Sequence, residues 1–331
     1  MVTKALYFLF FAALWIQCSC QVSSDRLTNP ILASGADPWI IQQDQWFHYC
    51  YSRGDRICLK SVRKLSELPE AAERVLWLAP QGTGYSKEIW APELHYIDSR
   101  WFVYFAADDG ENAHHRMHVL SSEGENISSE FQYTGQITDP TDKWAIDGTV
   151  LSLRGDMYFI WSGWEGDHNG QQNLYLAHMD GPAAISSERV LISSPEFEWE
   201  KRGSSPELPT INEGPEVLIK EEQVYIIYSA SGSWSDDYCL GLLEYTGGDP
   251  MIPESWKKRD QPVFRGTEKI ISPGHCSFLH IEGQDYIVYH HAKHPGAGWK
   301  REVSIQPFSW DEKGPVFGQP MPNGSEVLIR Y

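Results

Sequence analysis

The stretch Ile211-Asn-Glu-Gly-Pro-Glu-Val-Leu-Ile219 places Glu213 directly before Gly-Pro and a run of strand-forming residues. An aromatic strand follows, Val224-Tyr-Ile-Ile-Tyr-Ser229. A carboxylate at the entrance to a buried strand loses solvation, which raises its pKa and makes it a usable proton donor near neutral pH. The same order, a polar residue and then an aromatic strand, recurs four more times. Asp37 precedes Trp46-Phe-His-Tyr-Cys-Tyr51, and Glu93 precedes Trp101-Phe-Val-Tyr-Phe105. Asp147 precedes Met157-Tyr-Phe-Ile-Trp-Ser162, and His275 precedes Tyr286-Ile-Val-Tyr-His290. A strand-rich repeat of roughly sixty residues, punctuated by Gly and Asp, is the signature of propeller blades. The expected fold is therefore all-β: a single-domain, five-bladed β-propeller over about residues 30–331. A β-sandwich with coincidental spacing is the competing reading. In a propeller, equivalent positions on the innermost strands converge on the axis, so Asp37, Glu93, Asp147, Glu213 and His275 should meet near one mouth of the channel. Four carboxylates and an imidazole gathered there are costly to bury unpaired, so chemistry or a bound cation explains them better than packing does.

Composition narrows the partners. A formal charge of −18 over 331 residues argues against nucleic acid and against anionic membranes. Fourteen Trp and sixteen Tyr suit propeller packing and also a sugar-binding cleft. Residues 1–20 read as a signal peptide: Lys4, then the apolar run Ala5 to Ile16. The chain is thus expected to be secreted or held at the cell surface. Cys18 and Cys20 close this segment, leaving both ordinary cleavage and a lipoprotein anchor at Cys20 open. Cys50 and Cys58 flank Arg53-Gly-Asp-Arg56 and could face each other across a hairpin as a disulfide. Cys239 and Cys276 read as buried apolar residues.

Along the chain, Ser66 to Glu73 reads as a surface loop with a short possible helix. Ala113-His-His-Arg-Met-His-Val119 reads as a strand with His114, Arg116 and His118 on one face and no carboxylate fixed beside them, which argues against a metal site. The segment Ser229 to Asp237 is a long small-residue turn of the sort that lies over a pocket.

Hydrolysis of a glycosidic bond needs one protonated carboxyl group to assist the leaving oxygen and one ionised group to activate water or attack the sugar. Inverting enzymes hold that pair roughly 6.5–9.5 Å apart. Acids on inner strands of different blades could supply such a gap, with a third acid raising the donor's pKa.

The ordered motifs Ala36-Asp-Pro, Trp90-Ala-Pro-Glu, Ile146-Asp-Gly-Thr, Glu213-Gly-Pro and Gly274-His resemble glycoside hydrolase family 43 over about residues 30–331. These are five-bladed propeller enzymes acting on arabinose- and xylose-containing polysaccharides. The stretches Asp139 to Gly148, Trp161 to Gly166 and Tyr228 to Gly232 look most like the exo-acting α-L-arabinofuranosidases. The resemblance implies net inversion, with Asp37 as general base, Glu213 as general acid, and Asp147 orienting Glu213 and raising its pKa. It also implies a sugar site drawn from Trp90, Glu93, Trp144, Trp164 and Arg301. Glu93 has an alternative as a partner of Arg116. His275 matches a histidine that reaches a structural calcium or similar cation through water, a cation the chemistry itself does not require. Cys276 stands where relatives often carry Asn. The expected substrates are arabinan, arabinoxylan or their oligosaccharides. β-Xylosidase or endo-arabinanase action is the alternative within the family, and a non-catalytic sugar-binding propeller the alternative outside it.

Overall fold

The computed structural model describes residues 24–331, so the expected signal peptide and the Cys20 anchor lie outside the described residues. The described chain is all-β, with four single-turn 3-10 segments as its only helices. An antiparallel sheet runs Trp39–Gln43, Trp46–Ser52, Arg56–Val62, Arg74–Leu78 in sequence order. A second runs Lys87–Ile97, Arg100–Asp108, Arg116–Ser122, Phe131–Gln136. Further on, Ala145–Leu153 begins a third such group and Thr210–Lys220 a fourth. These two fuse into one nine-stranded sheet because Gln171 and Gln172 pair in parallel with Thr210 and Ile211. The last sheet runs Ile271–Ile281, Gln284–Ala292, Arg301–Asp311, Gly314–Val316. Sequence neighbours are spatial neighbours throughout, which two-residue hairpins permit. Asp98 and Ser99 (φ 48° and 63°), Arg154 and Gly155 (56° and 92°), and Glu282 and Gly283 (46° and 81°) all adopt the left-handed pair that matches strand twist.

The leading strands touch one another in a closed cycle. Trp39–Gln43 packs on Lys87–Ile97, that on Ala145–Leu153, that on Thr210–Lys220, that on Ile271–Ile281, and this last returns to Trp39–Gln43. Apolar side chains fill the space between successive sheets. Tyr104 and Met117 of the second sheet, for example, pack with Phe159, Trp161 and Tyr175 of the next. The described ends are tied together, Ser24–Thr28 pairing antiparallel with Glu326–Arg330. Leu27, Val327 and Ile329 thereby join a core with Val288 and Ile305.

Three local expectations change. Cys50 and Cys58 are free, buried thiols. Cys50 pairs across the ladder with Leu59 and Cys58 with Tyr51, so the two sulfurs are one residue out of register and point to opposite faces of the sheet. The strand expected from Ala113 begins only at Arg116, because Asn112–His114 forms a 3-10 turn. Carboxylates do stand beside these histidines. Asp109 Oδ1 lies 3.0 Å from His114 Nδ1, and the buried Asp108 Oδ2 lies 3.0 Å from the buried His115 Nδ1.

Candidate active site

The site is built by one backbone device used repeatedly. Each leading strand carries a residue with positive φ near its start, or in the first sheet just before it: Asp37 (47°), Ala91 (41°), Asp147 (54°), Gly214 (52°) and His275 (38°). In the last four, the ladder slips around that residue, between Trp90 and Glu93, Ile146 and Thr149, Glu213 and Glu216, and Gly274 and Cys276. Such a bulge adds a residue to one strand, bends it and re-aims its side chains.

The bulge corrects the expected equivalence of the acids. Asp37, Asp147 and His275 occupy the left-handed position itself. Glu213 sits one residue before it and Glu93 two after it. By register Glu93 therefore matches Glu216, not Glu213. Strict alternation would put Glu213 and Glu216 on opposite faces. The bulge absorbs the extra residue, and both face inward and are buried.

Glu216 and Glu93 form a separate acid pair. Burial, and then the charge of Glu93 and a hydrogen bond to it, raise the Glu216 carboxyl well above the usual range. Glu93 also lies 2.8 Å from His95 Nε2. Glu93 thus lines no part of the cavity described below, and Arg116 pairs with Asp142 instead (2.9 Å).

A cavity of about 570 Å³ opens over the other acids, with Asp37, Asp147, Glu213, His275 and Arg301 in its wall. His275 Nδ1 is 3.1 Å from Asp37 Oδ1 and 3.9 Å from Asp147 Oδ2, so one imidazole touches both carboxyl groups. Arg301 Nη1 is 3.6 Å from Asp37 Oδ1. The backbone N–H of Asp37 lies 3.0 Å from His290 Nδ1, and the Asp37 Oδ1 lies 3.3 Å from the same ring nitrogen. Burial pushes the Asp37 carboxyl up. His275, His290 and Arg301 outweigh it and hold the group well below the usual carboxylate range.

Glu213 is placed oppositely. Burial pushes it up to about 7, and the charge of Asp37 adds to that. A hydrogen bond from Tyr238 (2.8 Å) and the Arg301 charge pull the other way. Asp147 is raised well above its usual range by burial first, then by Glu213 and Asp37. It accepts the backbone N–H of Gly214 at 3.0 Å, which locks it to the residue after Glu213. Asp147 and Glu213 are thus both pushed toward the protonated form, and Asp37 beside them toward the ionised one.

Aromatic residues shape the remainder. Trp90 and Trp144 line the cavity. Trp164 does not; it stacks behind Trp144 with ring centres 4.7 Å apart, and so supports that wall from behind. The sequence reading missed Tyr238 and His290, which contact Glu213 and Asp37 and stack on each other. It also missed Trp234, Trp299 and Gln172 in the cavity wall. Tyr238 ends the loop that sequence alone had placed over a pocket, and that loop was the one available signal for it and for Trp234.

Among the described residues, no group of three or more His, Cys, Asp or Glu side chains is arranged to hold a metal ion directly. The His275 Nδ1 is taken by Asp37.

The family model for Glycosyl hydrolases family 43 matches residues 27–316. The chain belongs to this family. Within family 43 it is similar to "Alpha-L-arabinofuranosidase 43" of Humicola insolens, 31% identical over 324 residues, which are 93% of this chain and 66% of that one. It is 34% identical over 272 residues to the "Extracellular exo-alpha-(1->5)-L-arabinofuranosidase" of Streptomyces chartreusis, covering 79% of this chain and 81% of that protein. The chain thus spans just under two thirds of the Humicola relative's length and more of the Streptomyces one. Its fold superposes on the crystal structure of an α-L-arabinofuranosidase from Lactobacillus brevis with a TM-score of 0.82 at 33% identity, over 90% of this chain and 98% of that one.

Proposed function

We propose that this family 43 chain is an inverting exo-acting glycosidase that removes terminal α-L-arabinofuranosyl residues from arabinan, arabinoxylan or their oligosaccharides. The observation that carries the reading is the opposite charge state of two carboxyl groups in one cavity: Asp37 held well below its usual range and Glu213 raised to about 7. In this reading Asp37 takes a proton from water as it attacks the sugar's anomeric carbon. Glu213 gives its proton to the departing oxygen. Asp147 is a positioning residue, tied to the Gly214 backbone, and the rise of Glu213 comes from burial and the Asp37 charge rather than from Asp147, the source expected from the sequence. Trp90, Trp144 and Arg301 bind the sugar, and Trp164 backs Trp144.

The same reading takes residues 30–331 as one five-bladed propeller domain, a view supported by the closed cycle of leading strands. Export rests on the apolar leader in the sequence, and the relative from Streptomyces chartreusis is named as extracellular. A calcium or similar cation near His275 would be held through water, since no direct ligand cluster stands among the described residues. The acid-rich surroundings, Glu93 and Glu216 included, suit such a hydrated ion.

The test is release of product from 4-nitrophenyl α-L-arabinofuranoside, 4-nitrophenyl β-D-xyloside and a linear arabinan. The reading expects clear preference for the arabinofuranoside and arabinose as the sole small product from arabinan. Preference for the xyloside, or release of mixed oligosaccharides from arabinan, would overturn it.

A further inference from the structure

One cavity wall is made by three loops, two from the nine-stranded sheet and one from the last sheet, laced together by hydrogen bonds. They span residues 201–209, 231–238 and 293–300. The Trp234 Nε1–H donates to the Gly203 carbonyl (2.9 Å) and the Gly232 N–H to the Arg202 carbonyl (2.8 Å). The Gly296 N–H donates to the Asp236 carboxylate (2.8 Å). Arg301 donates to the Ser233 carbonyl (2.8 Å), and the Trp299 Nε1–H to the Ser233 hydroxyl oxygen (3.2 Å).

Trp299 is out of keeping with its environment. It lines the cavity, yet it is 68% exposed, the most exposed of the large apolar side chains among the described residues. A lone exposed aromatic residue is ordinary on a protein surface. This one is held by its ring nitrogen, so its orientation is fixed while its face stays open to solvent. An oriented, open indole face beside a polar cavity is what a sugar ring stacks on through its C–H face.

The direction of the chemistry says which sugar. Glu213 protonates the leaving oxygen, so the leaving group must lie on the Glu213 side of the bond. Tyr238 holds Glu213, and Tyr238 ends the very loop whose middle carries Ser233 and Trp234. Trp299 is tethered to that middle. Trp90 belongs instead to the second sheet, and Trp144 leads into Ala145–Leu153, the first strand of the third group.

We propose that Trp299, oriented by Ser233 and flanked by Trp234, is the binding platform for the leaving-group sugar, the pentose next in the chain after the residue cleaved. This rests on the arabinofuranosidase reading above. Trp299 then sets how far the enzyme prefers an oligosaccharide to a simple glycoside, and it plays no part in holding the terminal arabinose.

The experiment compares wild type with Trp299→Ala and Trp299→Phe on α-1,5-linked arabinobiose, alongside inhibition by free arabinose. For Trp299→Ala the expected result is a loss of about ten-fold in kcat/KM on arabinobiose, carried mainly by KM, which is the loss of one stacked ring face. The inhibition constant for arabinose should stay within about two-fold, and Trp299→Phe should restore most of the arabinobiose activity. Unchanged kcat/KM for arabinobiose would overturn the proposal, as would an equal rise in the arabinose inhibition constant, while leaving the arabinofuranosidase reading intact. A wild-type chain inactive on arabinobiose and on 4-nitrophenyl α-L-arabinofuranoside would overturn both.

Discussion

The Tyr238 hydroxyl donates a hydrogen bond to Oε1 of Glu213 across 2.8 Å, and both groups are buried. A donor of this kind favours the ionised carboxylate, so it works against the burial that raises the acid. Removing it should raise Glu213 further. Tyr238→Phe should therefore move the alkaline limb of kcat/KM, set in the wild type by loss of the Glu213 proton near pH 7, to higher pH. A pH profile of the two proteins checks this; a limb that moves down would contradict it.

Gly274 is the floor beneath that tyrosine. A Cβ at this position would fall 2.2 Å from Cε1 of Tyr238, whose ring is enclosed on all sides. Gly274→Ala must push the ring aside, at a cost of about 1–3 kcal/mol in stability. The displaced hydroxyl would also release Glu213, so urea unfolding and the pH profile should change together. A fall in stability with the pH profile unaltered would mean the ring had stayed in place.

A second buried charge holds the third and fourth groups of strands together. Glu200, fully buried, accepts from Lys258 Nζ (2.9 Å), from Tyr228 (2.9 Å) and from Asn212 (3.0 Å). Burial opposes its ionisation, but Lys258 and the hydrogen bonds around it win and lower its pKa. Lys258→Met leaves the carboxylate without its cation and should cost about 3 kcal/mol at neutral pH. The folded value is depressed, so the contribution is fully present above the ordinary glutamate range and fades as pH falls through the folded value. The penalty measured by urea unfolding should accordingly shrink in acid. A penalty that does not depend on pH would point to lost packing instead.

How much of this was legible in the sequence depends on which residue filled each bulge. Asp37 and Asp147 announce themselves, because Asp tolerates the left-handed region and the chain gives it a neighbouring Pro or Gly. Gly214 fills the position in the fourth group, which displaces its acid by one residue to Glu213. Ala91 fills it in the second, and an alanine there carries no signal, so Glu93 was taken as an equivalent of acids that lie a layer away. The same hidden extra residue turned Glu216 inward against strict alternation. Arg301, Trp90, Trp144 and Trp164 could be named from motif, but Tyr238 and His290 could not. Their partners lie 25 and 253 residues away in the chain, and only closure of the strand cycle brings them to Glu213 and Asp37.

The thiols give a simple check on register. A disulfide between Cys50 and Cys58 would be worth about 2–3 kcal/mol for a loop of that size. The two residues are offset on the ladder, so reductant should leave Tm unchanged and denaturing alkylation should label both without prior reduction. A drop of several degrees on reduction would contradict the pairing described.

The assignment of Glu213 as proton donor is tested most directly by Glu213→Gln measured on two arabinofuranosides. One carries an activated leaving group such as 2,4-dinitrophenolate, which departs without a proton; the other carries a sugar, which does not. Glutamine keeps the shape and the Tyr238 contact but has no acidic proton to give. The account predicts a loss of at least about 10²-fold on the sugar leaving group and a much smaller loss on the activated one, the range expected for removal of a general acid. Equal losses on both substrates would contradict it.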